Sequence, residues 1–283
     1  MRPALPALLF GATCIALSPI FVRLSDVGPT VSAFWRVALA APLLWLLWIV
    51  SSRPSLQGSK PLFLCAALAF TGDLVFWHWS IQYTSVANST LLANLSSIFV
   101  TLVVWVLWRQ RPTVLFLIGL GAALAGVLML VRTSLDFSPT GLLGDALGVV
   151  TAMFYAWYIL SVKGLRDRGA TTLHLITVST TLTAVFLFPL ALVSGEVLFP
   201  AGVYGWAVLV GLAWVSQAAG QGLIAYSLAH LPAAFSSVGL LLQPVIAALI
   251  AWSLLGEPLA GLQIAGGAMV LFGIWLARRG SAA

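Results

Sequence analysis

Residues 80–131 and 226–277 of this chain can be laid over one another, and the link inside the overlap changes its charge between the copies. Ala87 falls on Ala233, Thr90 on Ser236 and Pro112 on Pro258 at one offset. One residue is gained after the proline, and Gly119 then falls on Gly266 and Gly126 on Gly273. The link reads Arg109-Gln110-Arg111 in the first copy and Leu255-Gly256-Glu257 in the second. Two like halves with opposite loop charge are expected to insert in opposite senses, which confines the chain to an inverted repeat.

The solvent for those halves follows from composition. Of 283 residues 61% are hydrophobic and 7% charged, where a soluble domain carries about 25% charged residues. A hydrocarbon core of about 30 Å needs about 20 apolar residues in a helix. Ten such runs are present, at 4–22, 31–51, 61–82, 86–108, 113–131, 141–162, 171–193, 203–228, 232–254 and 259–277. Turn chemistry separates them, as in Asp26-Val27-Gly28-Pro29, Arg53-Pro54, Arg111-Pro112, Ser138-Pro139 and Glu257-Pro258. The expected architecture is an all-α polytopic membrane protein. Its ten transmembrane helices form two inverted five-helix repeats, residues 1–131 and 141–283, joined by an outer linker at 132–140.

Placing the N-terminus in the cytoplasm puts Arg2, Arg53, Lys60, Arg109, Arg111, Lys163, Arg166, Arg168, Arg278 and Arg279 on the inner side. Only Arg23 and Arg132 fall outside, with the acids Asp26, Asp136, Glu196 and Glu257. This positive-inside bias sets both termini in the cytoplasm. The net charge of +6 is therefore a topology signal and not evidence for a nucleic-acid partner. The first run has no small-x-small cleavage site ahead of a soluble domain and reads as a permanent helix. Cys14 and Cys65 lie in spans and read as small packing residues. Glycines at helical spacing (Gly119, Gly121, Gly126; Gly144, Gly148; Gly220, Gly222; Gly266, Gly267) read as helix contacts. Trp48, Trp79, Trp108, Trp206 and Trp275 read as interfacial anchors.

Polar side chains within spans mark the candidate site. Thr90, Asn94, Ser97 and Thr101 share one face of the fourth span, and the repeat sets Ser236 and Gln243 on the matching face of the ninth. Such faces either line a cavity between the halves or tie helices together. Pro244 cannot donate to the carbonyl of Leu240, so a kink with a freed carbonyl is expected there. In the third span, Trp77 and His78 suit either stacking on a substrate or a buried histidine bonded to backbone. In the sixth, Thr151, Tyr155 and Tyr158 share a face, and in the eighth so do Trp214, Gln217 and Gln221. Both faces mix aromatic bulk with polar tips. Asp73 and Arg36 are the two deep charges, about 5 Å apart in depth by helical rise. They read either as a structural ion pair or with Asp73 as a proton-coupling group.

The chain resembles the drug/metabolite transporter superfamily, specifically its ten-span EamA-type members. The resemblance rests on the two tandem halves and on Tyr83-Thr84-Ser85-Val86-Ala87 with its counterpart Ala229-His230-Leu231-Pro232-Ala233-Ala234. Leu242-Gln243-Pro244-Val245, Gly256-Glu257-Pro258-Leu259, Gly266, Gly273, Gly144-Asp145-Ala146-Leu147 and Arg36 add to it. The first half departs from the pattern, with Ser97-Ile98 where the second has Gln243-Pro244. Length and the aromatic third span are most similar to the YddG-type amino acid exporters.

The resemblance implies export of amino acids, aromatic and other neutral ones, across a bacterial inner membrane by alternating access. The substrate-binding residues expected are Trp77, His78, Tyr83, Thr90, Asn94, Ser97, Tyr155, Tyr158, Trp214, Gln217 and Gln243. No cofactor or metal is expected, the partners are a small solute and lipid, and the chain is expected to be a monomer. No GxxxxGK[ST] loop is present for direct ATP drive. Other metabolites or drugs are the alternative cargo. The remote rival is an intramembrane protease using Asp73 and Asp145, although Leu142 stands where Gly-x-Gly-Asp would need glycine.

Overall fold

The computed structural model describes residues 3–51, 59–84, 86–131, 139–255 and 261–281. Arg2, Arg53, Ser85, Arg132, Asp136, Ser138, Glu257 and Pro258 lie outside them. Among the described residues the structure is helical throughout, without strands.

Ten helices follow in chain order. They are α1 (Ala4–Leu24), α2 (Pro29–Val50) and α3 (Lys60–Tyr83), α4 (Val86–Ala93 and Ser96–Val106) and α5 (Val114–Val131). The second set is α6 (Pro139–Asp167), α7 (Thr172–Val193), α8 (Val203–Leu228), α9 (Ala233–Gly239 and Leu242–Leu255) and α10 (Gly261–Ser281). Nine are long and apolar enough to cross a membrane; the tenth, in α5, has a shorter apolar stretch at Val114–Leu130. Large apolar side chains such as Leu46, Ile49, Val106, Leu128, Val185 and Phe272 face outward, as lipid-facing positions must.

The helices pack pairwise across the chain. α3 lies on α6, α1 on α8 and α9, α4 on α6 and α9, α7 on α2 and α3, and α5 on α10. The α5–α10 seam runs antiparallel, since Gly119 meets Gly273 while Gly126 meets Gly266. A Cβ on Gly273 would stand 2.4 Å from the amide nitrogen of Ala123 and 2.6 Å from the carbonyl oxygen of Gly119. Backbone therefore packs on backbone, the close approach that small residues allow in lipid. Gly144 and Gly148 serve α6 in the same way against Thr84 and Leu92. Gly121 and Gly222 meet nothing within 4 Å, so their expected packing role is not seen.

One end of the bundle is tied by the link between α7 and α8. Both Glu196 carboxylate oxygens accept backbone N–H groups at the start of α2, from Thr30 at 3.2 Å and Val31 at 2.8 Å. The helix thus takes its N-cap from a residue far along the chain. Asp26 returns the tie by accepting from the Ala201 amide at 2.9 Å. Trp35 donates to the Leu198 carbonyl at 2.8 Å and meets Trp206 edge-on at 5.0 Å. Trp206 therefore sits in an aromatic cluster, whereas Trp79, Trp108 and Trp275 stay exposed as interfacial anchors do.

Gly273→Leu should lower the thermal midpoint of the detergent-purified protein by an amount equivalent to about 1–3 kcal/mol or more, because backbone atoms cannot yield. Gly121→Leu, on the partner seam helix α5 but facing open space, should leave the midpoint unchanged. Equal midpoints for the two variants would disprove the seam.

Candidate functional site

Five of the ten helices carry a break or a wide turn in their hydrogen-bond ladder. α1 is interrupted at Leu17, two residues before Pro19. α2 is interrupted at Leu39, ahead of Pro42. Each proline lacks the N–H that would continue the ladder.

α9 breaks at Leu240–Leu241 before Pro244. The Leu240 carbonyl is not left free as expected, because the Gln243 amide donates to it at 3.0 Å. α4 breaks at Asn94–Leu95, the equivalent place in the first copy, without a proline. There the Ser97 amide donates to the Asn94 carbonyl at 3.3 Å, matching the α9 bond. Side chains do the bending instead: Asn94 Nδ2 donates to Thr90 O at 2.8 Å, Ser97 Oγ to Asn94 O at 3.0 Å and Thr101 Oγ1 to Ser97 O at 2.7 Å. Such back-bonding competes with the ladder and bends helices.

In α8, residues Leu212–Gln221 form a π-helix. Its wider turn, bonded i→i+5, aligns residues four to five apart rather than three to four. Gln217 and Gln221, four apart, keep their common buried face, while Trp214, three before Gln217, is carried off it and is 49% exposed. The expected α-helical face of three residues is corrected accordingly.

The irregular stretches of α1, α4, α8 and α9 surround one polar cavity. Ile15, Ser18 and Pro19 line it from α1, Thr90, Ala93 and Asn94 from α4, Gln221 from α8 and Gln243 from α9. Arg36 of α2, Asp73, Leu74 and Trp77 of α3 and Tyr155 of α6 complete it. The centre of a water molecule can range over about 70 Å³ inside, room for about five waters. A small solute fits such a space.

Seven of the expected site residues line the cavity, namely Arg36, Asp73, Trp77, Thr90, Asn94, Tyr155 and Gln243. The others are placed elsewhere. His78 is buried, faces Trp77 edge-on at 4.9 Å and bonds through Nδ1 to the Leu74 carbonyl at 2.6 Å. That bond to its own helix turns the ring away from the lining. Tyr83 ends α3 and is 44% exposed. Ser97 is spent on the α4 bend. Tyr158 sits behind the wall, its ring 4.6 Å from that of Phe70. Trp214 lines a separate apolar groove with Leu43, Leu47 and Thr172. Asp145 is not in the lining, so the two aspartates of the protease rival do not face one cavity.

Arg36 and Asp73 share the cavity and act on one another electrostatically, but the expected ion pair is not closed. Among the described residues the one ion pair is Lys163–Asp167 at 2.6 Å. Arg36 Nε instead donates to Gln217 Oε1 at 3.2 Å and Nη1 to Ser18 Oγ at 3.0 Å. The guanidinium lies 5.8 Å from the centre of the Phe70 ring. Gln217 Nε2 in turn donates to Thr180 at 3.1 Å, so Gln217 acts from outside the lining as the clamp on Arg36. The Gln221 and Tyr155 side chains neighbour one another within the site, yet neither Gln221 Oε1 nor Tyr155 Oη makes a well-formed hydrogen bond among the described residues. Ser18 was not anticipated as a site residue; its signal in the sequence is the Ser18-Pro19 step inside an otherwise apolar run.

Gln217→Leu should lower the thermal midpoint by an amount equivalent to about 1–3 kcal/mol, since it strips a buried charge of a partner. Gln221→Leu should leave the midpoint level or raise it, because its carbonyl has no partner to lose. A melt series on the two variants checks the contrast, and a larger loss at Gln221 would contradict the assigned geometry.

Comparison with known proteins agrees with this architecture. The EamA-like transporter family matches the chain twice, over residues 2–132 and 142–279. An uncharacterized transporter from Archaeoglobus fulgidus is 30% identical over 272 residues, covering 91% of each chain. A protein of Streptantibioticus cattleyicolor described as a probable terminal-alkyne amino-acid exporter is 26% identical over 231 residues, 80% of this chain and 75% of its own. A solved crystal structure superposes with a TM-score of 0.83 at 16% identity, covering 96% of this chain and 98% of that one; it shares the fold. The chain is a multi-pass membrane protein and belongs to the EamA-like transporter family.

Proposed function

We propose that the chain exports neutral amino acids, aromatic ones included, across a bacterial inner membrane by alternating access around the cavity. The observation that carries this reading is that one small polar cavity draws its lining from both halves of the chain, at the breaks of α1, α4 and α9 and the π-turn of α8. Inverted-repeat transporters bind substrate at such discontinuous helices between repeats. Trp77 and Tyr155 offer flat apolar surface to a substrate side chain, and Asn94, Gln221 and Gln243 offer amide groups. The Streptantibioticus cattleyicolor relative, a probable terminal-alkyne amino-acid exporter, points the same way.

In this reading the halves 1–131 and 141–283 are inverted repeats with both termini in the cytoplasm, and the protein works as a monomer. Support comes from the packing: exchanging every helix for the one five places later turns α3–α6 into α8–α1 and α4–α6 into α9–α1, both of which are contacts. The glycine contacts Gly119–Gly273 and Gly126–Gly266 also exchange into each other. The α5–α10 seam then serves as the fixed axis. The Glu196 and Asp26 ties join the halves on the outer side and are the contacts that rocking must break.

Liposomes holding the purified protein and a panel of labelled neutral amino acids should release them faster than empty liposomes. Trp77→Ala and Asn94→Ala should each slow release about tenfold, the effect of losing roughly 1.4 kcal/mol of substrate interaction. Trp214→Ala, on the separate groove, should leave it unchanged. Folded protein that releases none of the panel would refute the amino acid reading and leave another metabolite as cargo.

A further inference from the structure

We infer that Arg36 and Asp73 select a zwitterion, with Arg36 taking the substrate carboxylate and Asp73 its ammonium group. This rests on the amino acid reading above and adds to it the residues that decide which solutes qualify.

Two opposite charges facing one small cavity should close on each other, since isolated charges in a membrane interior are costly. They do not close here because the guanidinium is held elsewhere. Ser18 and Gln217 fix Nη1 and Nε, and Phe70 lies beside the group. Of the five N–H donors of a guanidinium, those two bonds occupy two. The remaining donors keep a planar fork able to grip a carboxylate. Asp73 forms neither a hydrogen bond nor an ion pair among the described residues while lining the same space. A gap that separates a clamped cation from an unengaged carboxylate is complementary to a molecule carrying an ammonium and a carboxylate group on one carbon.

The neighbouring polar atoms fit the same occupant. Gln221 is 2% exposed, and neither its Oε1 nor the neighbouring Tyr155 Oη makes a well-formed hydrogen bond among the described residues. An ammonium group has three protons to give, and Asp73, the Gln221 carbonyl and the Tyr155 oxygen can each accept one. The substrate's side chain is left to Trp77, Leu74 and Ile15. Neither a plain amine nor a plain acid satisfies the arrangement, because each leaves one buried charge unanswered.

The test is counterflow of a labelled neutral amino acid mixture in liposomes, with three unlabelled competitors of one side chain: phenylalanine, N-acetyl-phenylalanine and phenylalanine amide. The acetyl compound lacks the cation and the amide lacks the carboxylate. For the wild-type protein both derivatives should compete at least about tenfold more weakly than phenylalanine, as expected when a buried group is left unpaired. In Asp73→Asn, which keeps the side-chain shape, that preference over N-acetyl-phenylalanine should vanish while the preference over the amide persists. Arg36→Lys, which keeps the charge but not the fork, should weaken phenylalanine itself at an unchanged N-acetyl to amide ranking. Derivatives that compete as well as phenylalanine, or an Asp73→Asn protein of normal melt that still rejects the acetyl compound, would overturn this inference alone. Absence of counterflow by the folded wild type would overturn it together with the amino acid reading.

Discussion

In a bilayer a peptide group without a hydrogen-bond partner has no water to fall back on, and each such group costs several kcal/mol by the usual scale of about 2–7 kcal/mol for an unpaired amide. Much else in the fold answers to that constraint. Regular helix is the default because it satisfies every backbone group internally. Departures from it survive only where other protein groups or a polar cavity take over. Here the departures in α1, α4, α8 and α9 converge on one place, and that place is the cavity.

The two copies reach the same break by different chemistry. In α9, Pro244 removes a donor and the chain answers with a short bond from Gln243 to Leu240. In α4 no proline is present, yet Ser97 and Asn94 make the matching bond. Asn94, Ser97 and Thr101 drive their side chains into the carbonyls of the preceding turn, doing by competition what proline does by omission. The absent proline of the first half is thus no departure in shape. It trades a rigid kink for one made by side chains, and Asn94, with the Thr90 to which it bonds, also lines the cavity.

Most of the fold was legible because it follows from length and hydropathy. The apolar runs mark the helices to within a few residues, and the glycines aligned by the repeat, Gly119 with Gly266 and Gly126 with Gly273, are the ones that form the α5–α10 seam. The site was only partly legible. Arg36, Asp73, Trp77, Asn94 and Gln243 stand out as polar or aromatic groups in apolar runs, and they line the cavity. Trp214 was misplaced because a regular 3.6-residue period was applied to a stretch that is π-helical, and nothing in Leu212–Gln221 announces the change of period. His78, for which the sequence leaves a ligand role and a backbone bond both open, takes the backbone bond through Nδ1 at Leu74 and stays out of the lining. Ser18 is not singled out by the sequence pattern, although Pro19 beside it is what opens the helix around it.

The open Arg36–Asp73 pair shows why polar groups in membrane interiors have to be read as networks. Taken alone, the two charges call for a salt bridge, the arrangement of lowest cost for the pair. Taken with Ser18, Gln217, Thr180 and Phe70, Arg36 already has its own support, so Asp73 is left to face the cavity. Gln217 matters more than its distance from the lining suggests, because it decides which way the guanidinium points. Gln217 and Gln221, four residues apart on α8, share one buried face, the first to hold the cation and the second to present a carbonyl without a well-formed hydrogen bond. The side-chain clamp from α1 and α8 thereby keeps the Arg36 guanidinium of α2 off the Asp73 carboxylate of α3 across the cavity, and in the proposed reading such a site discriminates by charge pattern while its walls stay mostly apolar.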